Sequence, residues 1–117
     1  MAKIKEAIAT VSSTHNVLAS GTRIIGDISA EEDFRIDGTI EGNLTGKGKI
    51  IVGNNSTVTG NIECTHIEIW GEVQGNILCT DNVVLRASSI LTGDLKTRSI
   101  EIEPGAKFHG KCSMYDS

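Results

Sequence analysis

A short phrase repeats along almost the whole chain and constrains its fold more than any other feature. Each copy has an apolar residue, a variable residue, Gly, a polar residue and then usually Ile or Leu, as in Val58-Thr59-Gly60-Asn61-Ile62. The copies lie at 24–28, 40–44, 58–62, 73–77, 91–95 and 108–112. A short unit at a nearly constant period is typical of solenoids, in which each copy packs only on its neighbours.

Alternating apolar pairs lie between these phrases, and alternation with a period of two is typical of strands with one buried face. The pairs are Phe34/Ile36, Ile50/Val52, Ile67/Ile69, Val83/Leu85 and Ile100/Ile102, with Val17 and Ala19 preceding them. We therefore predict an all-β fold, a single-stranded parallel β-helix (β-solenoid) of about six turns. It is expected to span residues 17–114, with tails at 1–16 and 115–117.

Stacking the copies in register predicts which side chains share a column. One inward column is Ile24, Ile40, Val58, Val73, Leu91 and Phe108; a second is Ile28, Leu44, Ile62, Ile77, Leu95 and Cys112. Cys64 and Cys79 fall in a corner column of small residues, where reduced thiols serve as apolar fillers. The outward polar column Asp27, Asn43, Asn61, Asn76 and Asp94 predicts stacked amides that bond one another along the coil.

Composition excludes several classes of function. The net charge of -4 over 117 residues is mild, and without a run of one sign it does not favour nucleic acid. Three cysteines without CxxC spacing, and no signal peptide or apolar span, favour a reduced, cytoplasmic setting. His15, His66 and His109 share no column, so we expect no catalytic or metal site and no cofactor.

The first residues do not follow the repeat. Ile4, Ala7, Ile8 and Val11 have the spacing of one helix face, and Lys3 and Lys5 flank it. One interpretation is a short amphipathic segment on an anionic membrane surface, with Lys3, Ile4, Lys5, Ile8 and Val11 as binding residues. The alternatives are a frayed terminus or a flap over the first turn of the coil.

Trp70 is expected to point outward between Gly53 on one turn and Arg86 on the next. Covering an exposed glycine and receiving a guanidinium on its ring would account for it. The alternative is an anchor for a partner or for lateral packing.

The ends of the coil are the strongest candidates for function. Strand edges and core are open at both ends of a solenoid unless they are capped, and the sequence after the last copy is too short for a capping helix. We expect self-association there, although Met114 and Tyr115 folding back as a plug is an alternative. The predicted interface residues are Phe108, Cys112 and Met114 at one end and Val17, Ile24 and Ile28 at the other.

Three phrases carry a resemblance to a known family: residues 36–44, Gly60-Asn61-Ile62, and residues 102–110. The chain resembles the bactofilins, bacterial polymer-forming cytoskeletal proteins, from about Val17 to Met114. The resemblance implies a right-handed, triangular β-helix that polymerises end to end into non-polar filaments without nucleotide. It also implies a membrane-associated scaffold for cell-wall or morphogenetic proteins, with Phe108 at the polymerisation position and a targeting peptide within Met1–Val11.

Other functions remain as alternatives. A hexapeptide-repeat acyltransferase needs a strict six-residue period, whereas the spacing of the glycines varies from copy to copy. Ice binding needs ranks of outward threonines, but Thr39 and Thr57 are followed in their column by Glu72, Ile90 and Lys107. A solenoid that binds a partner without polymerising is the third alternative. We expect a structural protein and not an enzyme.

Overall fold

A computed structural model describes residues 15–115, and it confirms an all-β parallel solenoid of about six turns. We call one pass of the chain around the coil a rung. Each complete rung has one strand segment on each of three faces, which gives the coil a triangular section. Face 1 is a six-stranded sheet of β2 (Arg23–Ile25), β5 (Thr39–Glu41), β8 (Thr57–Thr59), β10 (Glu72–Gln74), β12 (Ile90–Thr92) and β15 (Lys107–His109).

Faces 2 and 3 belong to one ten-stranded sheet, because two long strands continue around the corner between them. These strands are β9 (Ile62–Ile69) and β11 (Ile77–Leu85). The rest of face 2 is β3 (Ile28–Ala30), β6 (Leu44–Gly46), β13 (Leu95–Thr97) and β16 (Cys112–Met114). The rest of face 3 is β1 (His15–Leu18), β4 (Asp33–Ile36), β7 (Lys49–Val52) and β14 (Ser99–Ile102).

The predicted inward columns are confirmed by the strand register. Val58, for example, pairs with Ile40 on one side and Val73 on the other, and all three are fully buried. The interior is a single cluster of aliphatic side chains from the three faces, and each such side chain contributes about 1.5–3 kcal/mol on burial. Each rung covers the core side chains of the rungs next to it. Rungs in the middle of the stack are therefore covered on both sides, and the first and last described rungs are covered on one side only.

A column of glycines turns the chain from face 1 to face 2. Gly60 has a φ of +143°, and a Cβ placed on it would lie 2.0 Å from the carbonyl oxygen of Gly42. Both the conformation and the close approach of the rungs therefore require glycine at this position. This explains why glycine is the one residue common to all six copies of the phrase.

The register predicted for the first strand is wrong by one residue. Asn16 and Leu18 pair with Phe34 and Ile36, so they point inward, while Val17 pairs with Arg35 and points outward. Leu18 is buried, Val17 is 57% exposed and Ala19 lies beyond the strand at an exposed turn. The physical reason is the long corner that contains Ser20 and Gly21, which shifts the strand relative to the simple spacing.

The polar column forms a ladder of a different kind from the one predicted. Each side-chain oxygen accepts a hydrogen bond from the backbone N–H of the next rung, and not from a neighbouring amide. Asn43 Oδ1, for example, accepts from the Asn61 N–H at 3.1 Å, and Asn61 Oδ1 accepts from the Asn76 N–H at 3.1 Å. Backbone donors at the corner are otherwise unpaired, so the side chains satisfy them.

The proposed membrane-binding residues Lys3, Ile4, Lys5, Ile8 and Val11 lie outside the described residues. Between residues 15 and 115 there is no helix with the length and apolar character needed to cross a bilayer.

Candidate functional site at the ends of the solenoid

The last rung brings together the three C-terminal residues predicted from the sequence. Phe108 pairs with Leu91, Cys112 with Leu95 and Met114 with Thr97, so all three side chains continue inward columns. Cys112 was expected to be core, but it is exposed, and Met114 is 48% exposed. The reason is position: these side chains point toward the axis, but among the described residues no further rung covers them.

Two residues of face 3 complete this end, although they were not predicted as part of it. Ile100 and Ile102 lie on β14, which pairs only with β11 on the rung before. Ile102 is 49% exposed and Ile100 is partly buried against the core. The signal was available, because counting the rungs places this pair on the last strand of face 3. Among the described residues, the C-terminal end therefore presents the side chains of Phe108, Cys112, Met114, Ile100 and Ile102.

The chain after Met114 does not close this end in the described structure. The backbone N–H of Tyr115 donates to the carbonyl oxygen of Thr97 at 3.0 Å, which extends β16 along face 2. The ring of Tyr115 lies 4.9 Å from the ammonium of Lys96, on the outside of that face. The plug formed by Met114 and Tyr115 is therefore not observed.

The N-terminal end is a second surface that is open as far as residues 15–115 are concerned. Ile24 and Ile28 lie on the first rung and are only partly buried, as predicted for residues at an end. Leu18 is buried in the core at this end, although it was not predicted among the residues of the end. Val17 lies on the outer surface of face 3 and so is not among the inward residues of this end.

Backbone edges accompany the apolar side chains at both ends. In the described part of the chain, β1, β2 and β3 each pair on one side only, and so do β14, β15 and β16. Unpaired strand edges bind other strands readily. Each end therefore offers the two things that a rung-to-rung contact needs, namely apolar side chains and free backbone donors and acceptors.

Trp70 was predicted to lie between Gly53 and Arg86, and the contact with Arg86 is observed. The Arg86 guanidinium carbon lies 5.1 Å from the ring centroid, and the indole N–H donates to Glu68 Oε2 at 2.8 Å. The ring also borders a shallow depression of about 300 Å³, lined by Arg35, Ile51, Asn54 and Glu68. Trp70 therefore packs within its own chain, although 38% of it remains exposed.

Glu68 is the centre of an ion-pair network on face 3. It contacts Lys49 at 3.3 Å and Arg86 at 2.8 Å, and Arg86 also contacts Glu103 at 2.7 Å. Burial by itself raises the pKa of Glu68, but the hydrogen bonds and charges of Arg86 and Lys49 outweigh it and hold that pKa below its ordinary value. The hydrogen bond from Arg86 likewise lowers the pKa of Glu103.

The histidines and cysteines have structural environments. His66 contacts Asn82 and Asp81, and no group of three potential ligands is close enough to hold a metal ion within residues 15–115. Cys64 and Cys79 are register partners in the buried corner column, and both are free thiols. The hydrogen bond with Cys79, and then burial, raises the pKa of Cys64, so this thiol stays protonated.

Comparison with known proteins agrees with this geometry. The family model "Bactofilin", described as polymer-forming cytoskeletal, matches residues 16–113. A bactofilin from Thermus thermophilus, solved by cryo-EM as double helical filaments, is 33% identical, with a TM-score of 0.82 over 86% of this chain and 99% of that one. The cytoskeletal bactofilin BacA, solved by solid-state NMR, is 27% identical, with a TM-score of 0.79 over 90% of this chain and 100% of that one. No curated protein matches the chain by sequence. The match over nearly the whole solenoid and the open ends lead to one conclusion: the chain belongs to the bactofilin family of polymer-forming cytoskeletal proteins.

Proposed function

We propose that this protein is a cytoskeletal scaffold that polymerises end to end into filaments without nucleotide, metal or other cofactor. The observation that carries the proposal is the last rung, where Phe108, Cys112 and Met114 continue the core columns and no described residue covers them. Burying these side chains against another molecule removes apolar surface from water, and pairing the free edges satisfies backbone groups. The Thermus thermophilus relative forms filaments, which supports the proposal that this chain polymerises.

We also propose that the joints form between like ends, which makes the filament non-polar. In the coil, each ladder oxygen accepts from the next rung, and the last acceptor is Asp94, which binds the Lys111 N–H at 3.2 Å. Lys111 itself has no acceptor in its side chain. If the first rung of another molecule continued the coil in register, its Asp27 N–H would therefore find no oxygen at this position. A two-fold joint between two C-terminal ends avoids this mismatch.

Electron microscopy of the purified full-length protein tests the polymer proposal. Filaments are expected in buffer without ATP, GTP or divalent metal, over a range of salt and protein concentrations. Monodisperse particles under all these conditions would contradict it. Cys112 tests the joint: a short bis-maleimide should link two copies through Cys112 in filaments, and the Cys112→Ser variant should give no linked pair. Cys112 is the one exposed cysteine of each copy, so two copies can be linked only where two C-terminal ends meet.

We further propose that the filaments lie at the inner face of the cytoplasmic membrane, where they organise cell-wall or morphogenetic proteins. Support comes from the family and from the spacing of Ile4, Ile8 and Val11 beside Lys3 and Lys5. An enzymatic role, such as acyl transfer, receives no support from the site. The family is described as cytoskeletal, and His109 is an exposed residue of the last rung.

A further inference from the structure

The corner between faces 2 and 3 carries exposed charged side chains, most of which have no ion-pair partner among the described residues. Glu31, Glu32, Lys47 and Arg98 are exposed, and none of them forms an ion pair with another described residue. This differs from face 3, where Glu68 and Arg86 anchor a paired network. We define the charged edge as Glu31, Glu32, Lys47, His66, Asp81 and Arg98.

The sign of the charge changes along this edge from rung to rung. Glu31 and Glu32 lie on the first rung and Lys47 on the second, while Asp81 lies on the fourth and Arg98 on the fifth. His66 lies on the third, midway, and contacts Asp81 at 3.3 Å. Successive rungs are in register on both sides of the corner, so the corner residues form one line of about 19 Å, from four inter-strand steps of ~4.8 Å. On the third rung the corner residue is Thr65, and His66 follows it at the start of face 3, in register with Lys49 and Asn82.

The order of signs makes this edge complementary to a reversed copy of itself. When the edge is reversed end for end about His66, negative residues fall opposite positive ones at each of the four charged levels. Glu31 and Glu32 then face Arg98 of a second copy, and Lys47 faces Asp81. Two copies aligned side by side in the same direction and at the same height would instead place like charges together.

We propose that the charged edge is a lateral docking surface for a second copy of this chain, which lies antiparallel with its two-fold axis at the level of the third rung, beside Thr65 and His66. The proposal rests on the proposed function, because it concerns contact between filaments and not the joint within one. Non-polar filaments contain subunits in both directions, so each filament offers antiparallel partners along its whole length.

The strength of a single contact explains why filaments are required. Exposed ion pairs contribute about 0.2–1 kcal/mol each, so one pair of subunits would not remain associated in dilute solution. Along a filament the same contact repeats at every matching subunit, and the second and later contacts form within an assembly that is already held together. Lateral association should therefore require polymerisation and weaken as salt screens the charges.

The test uses full-length filaments at low ionic strength, with low-speed sedimentation to collect bundles, high-speed sedimentation to collect single filaments, and electron microscopy of both. Wild-type protein is expected to pellet at low speed, and added salt should move it to the high-speed fraction. Arg98→Glu places like charges opposite Glu31 and Glu32, so single filaments should remain while bundles are lost. Lys96→Glu is the matched control, since it makes the same charge change two residues earlier in the chain, on face 2.

A charge exchange identifies the antiparallel arrangement. The triple variant Glu31→Lys/Glu32→Lys/Arg98→Glu restores opposite signs across an antiparallel pair, so low-speed bundles should return. In a parallel pair offset by one rung the same variant would face Lys47 with lysines and Asp81 with glutamate, and bundles would stay absent. A triple variant that stays unbundled overturns the proposal, as does an Arg98→Glu variant that bundles like wild type. Wild-type filaments that never associate also overturn it, whereas a complete absence of filaments contradicts the proposed function itself.

Discussion

Phe108 lies directly over Leu91 in the same inward column, but Leu91 is fully buried and Phe108 is not. The difference in exposure follows from position, because Leu91 has a rung on each side of it and Phe108 has a described rung on one side only. The contrast repeats in the neighbouring column, where Leu95 is buried and Cys112 above it is exposed. The last rung thus has inward residues of the same apolar kind as the inner rungs, but its place at the end of the stack exposes them.

Phe108→Arg should abolish long filaments, because it places a charge where an apolar joint would form. We expect soluble monomers or small oligomers by analytical ultracentrifugation and no filaments by electron microscopy. His109→Arg is the control, since His109 lies next to Phe108 on β15 but is exposed on the outer surface. Long filaments from Phe108→Arg would show that this end is not a joint.

Gly60→Ala should be far more destabilising than Gly26→Ala. The two glycines have similar φ angles, +143° and +136°, but a Cβ on Gly60 meets the Gly42 carbonyl oxygen at 2.0 Å, while a Cβ on Gly26 meets nothing within 4 Å. We expect about 1–3 kcal/mol for the conformation alone at Gly26 and more than about 4 kcal/mol, or failure to fold, at Gly60. Thermal unfolding in the Phe108→Arg background measures the difference. Equal losses of stability in the two variants would mean that neighbouring rungs can move apart to make room for the added methyl group.

The corrected register of the first strand makes its own prediction. Leu18→Ala removes a buried side chain and should lower the free energy of unfolding by about 2 kcal/mol, near the low end for Leu→Ala because Leu18 is at an end. Val17→Ala changes an exposed residue and should stay within about 0.5 kcal/mol. Denaturant unfolding of both variants in the Phe108→Arg background compares the two losses of unfolding free energy. A larger loss for Val17→Ala than for Leu18→Ala would mean that Val17 is the inward residue, as the constant spacing predicts.

The ion-pair network predicts a dependence of stability on pH. The pKa of Glu68 and of Glu103 is lower in the folded chain than the ordinary value of 4.5, so folding favours their charged forms. Their contribution is complete above pH 4.5 and is lost as the pH falls through the depressed folded values. Glu68→Gln should therefore reduce the loss of melting temperature between pH 6 and pH 3. Glu63→Gln, an exposed change on face 2, should leave that loss unchanged.

The N-terminal segment gives a prediction about membranes. Lys3→Glu/Lys5→Glu should reduce co-sedimentation with vesicles that contain anionic phosphatidylglycerol, since each basic residue near such a surface contributes about 1 kcal/mol. Lys96→Glu/Lys107→Glu makes the same change of charge on the solenoid and should bind like wild type. If the two variants bind equally well, the first residues do not target the membrane.

The fold was predictable from the sequence because burial repeats with the rung. Columns such as Ile40, Val58 and Val73 follow from alternation alone, and the glycine column follows from the tight approach of successive rungs. The first strand was not predicted correctly because its register depends on the length of one corner, which a constant period does not describe. Long corners separate Val52 from Val58 and Leu85 from Leu91, and the same step back from Ile24 reaches Leu18.

The candidate site was predicted only in part, for a physical reason. Alternation identifies inward side chains such as Phe108 and Cys112, but exposure at an end depends on which rung is last on each face. The last described strand lies on face 2, so within the described residues face 3 ends one rung earlier and leaves Ile100 and Ile102 open. The ladder was also misassigned, since a pattern of Asn and Asp does not distinguish an amide partner from a backbone N–H.

The one-way ladder has a mechanical consequence for any polymer of this chain. Inside a subunit, every rung is held to the next by backbone bonds, by a ladder bond such as that between Asn61 Oδ1 and the Asn76 N–H, and by shared core. At a joint between two C-terminal ends, Lys111 gives no acceptor, so the ladder stops there. Under tension or dilution a filament should part at its joints and leave each coil whole, which makes its length adjustable without unfolding a single subunit.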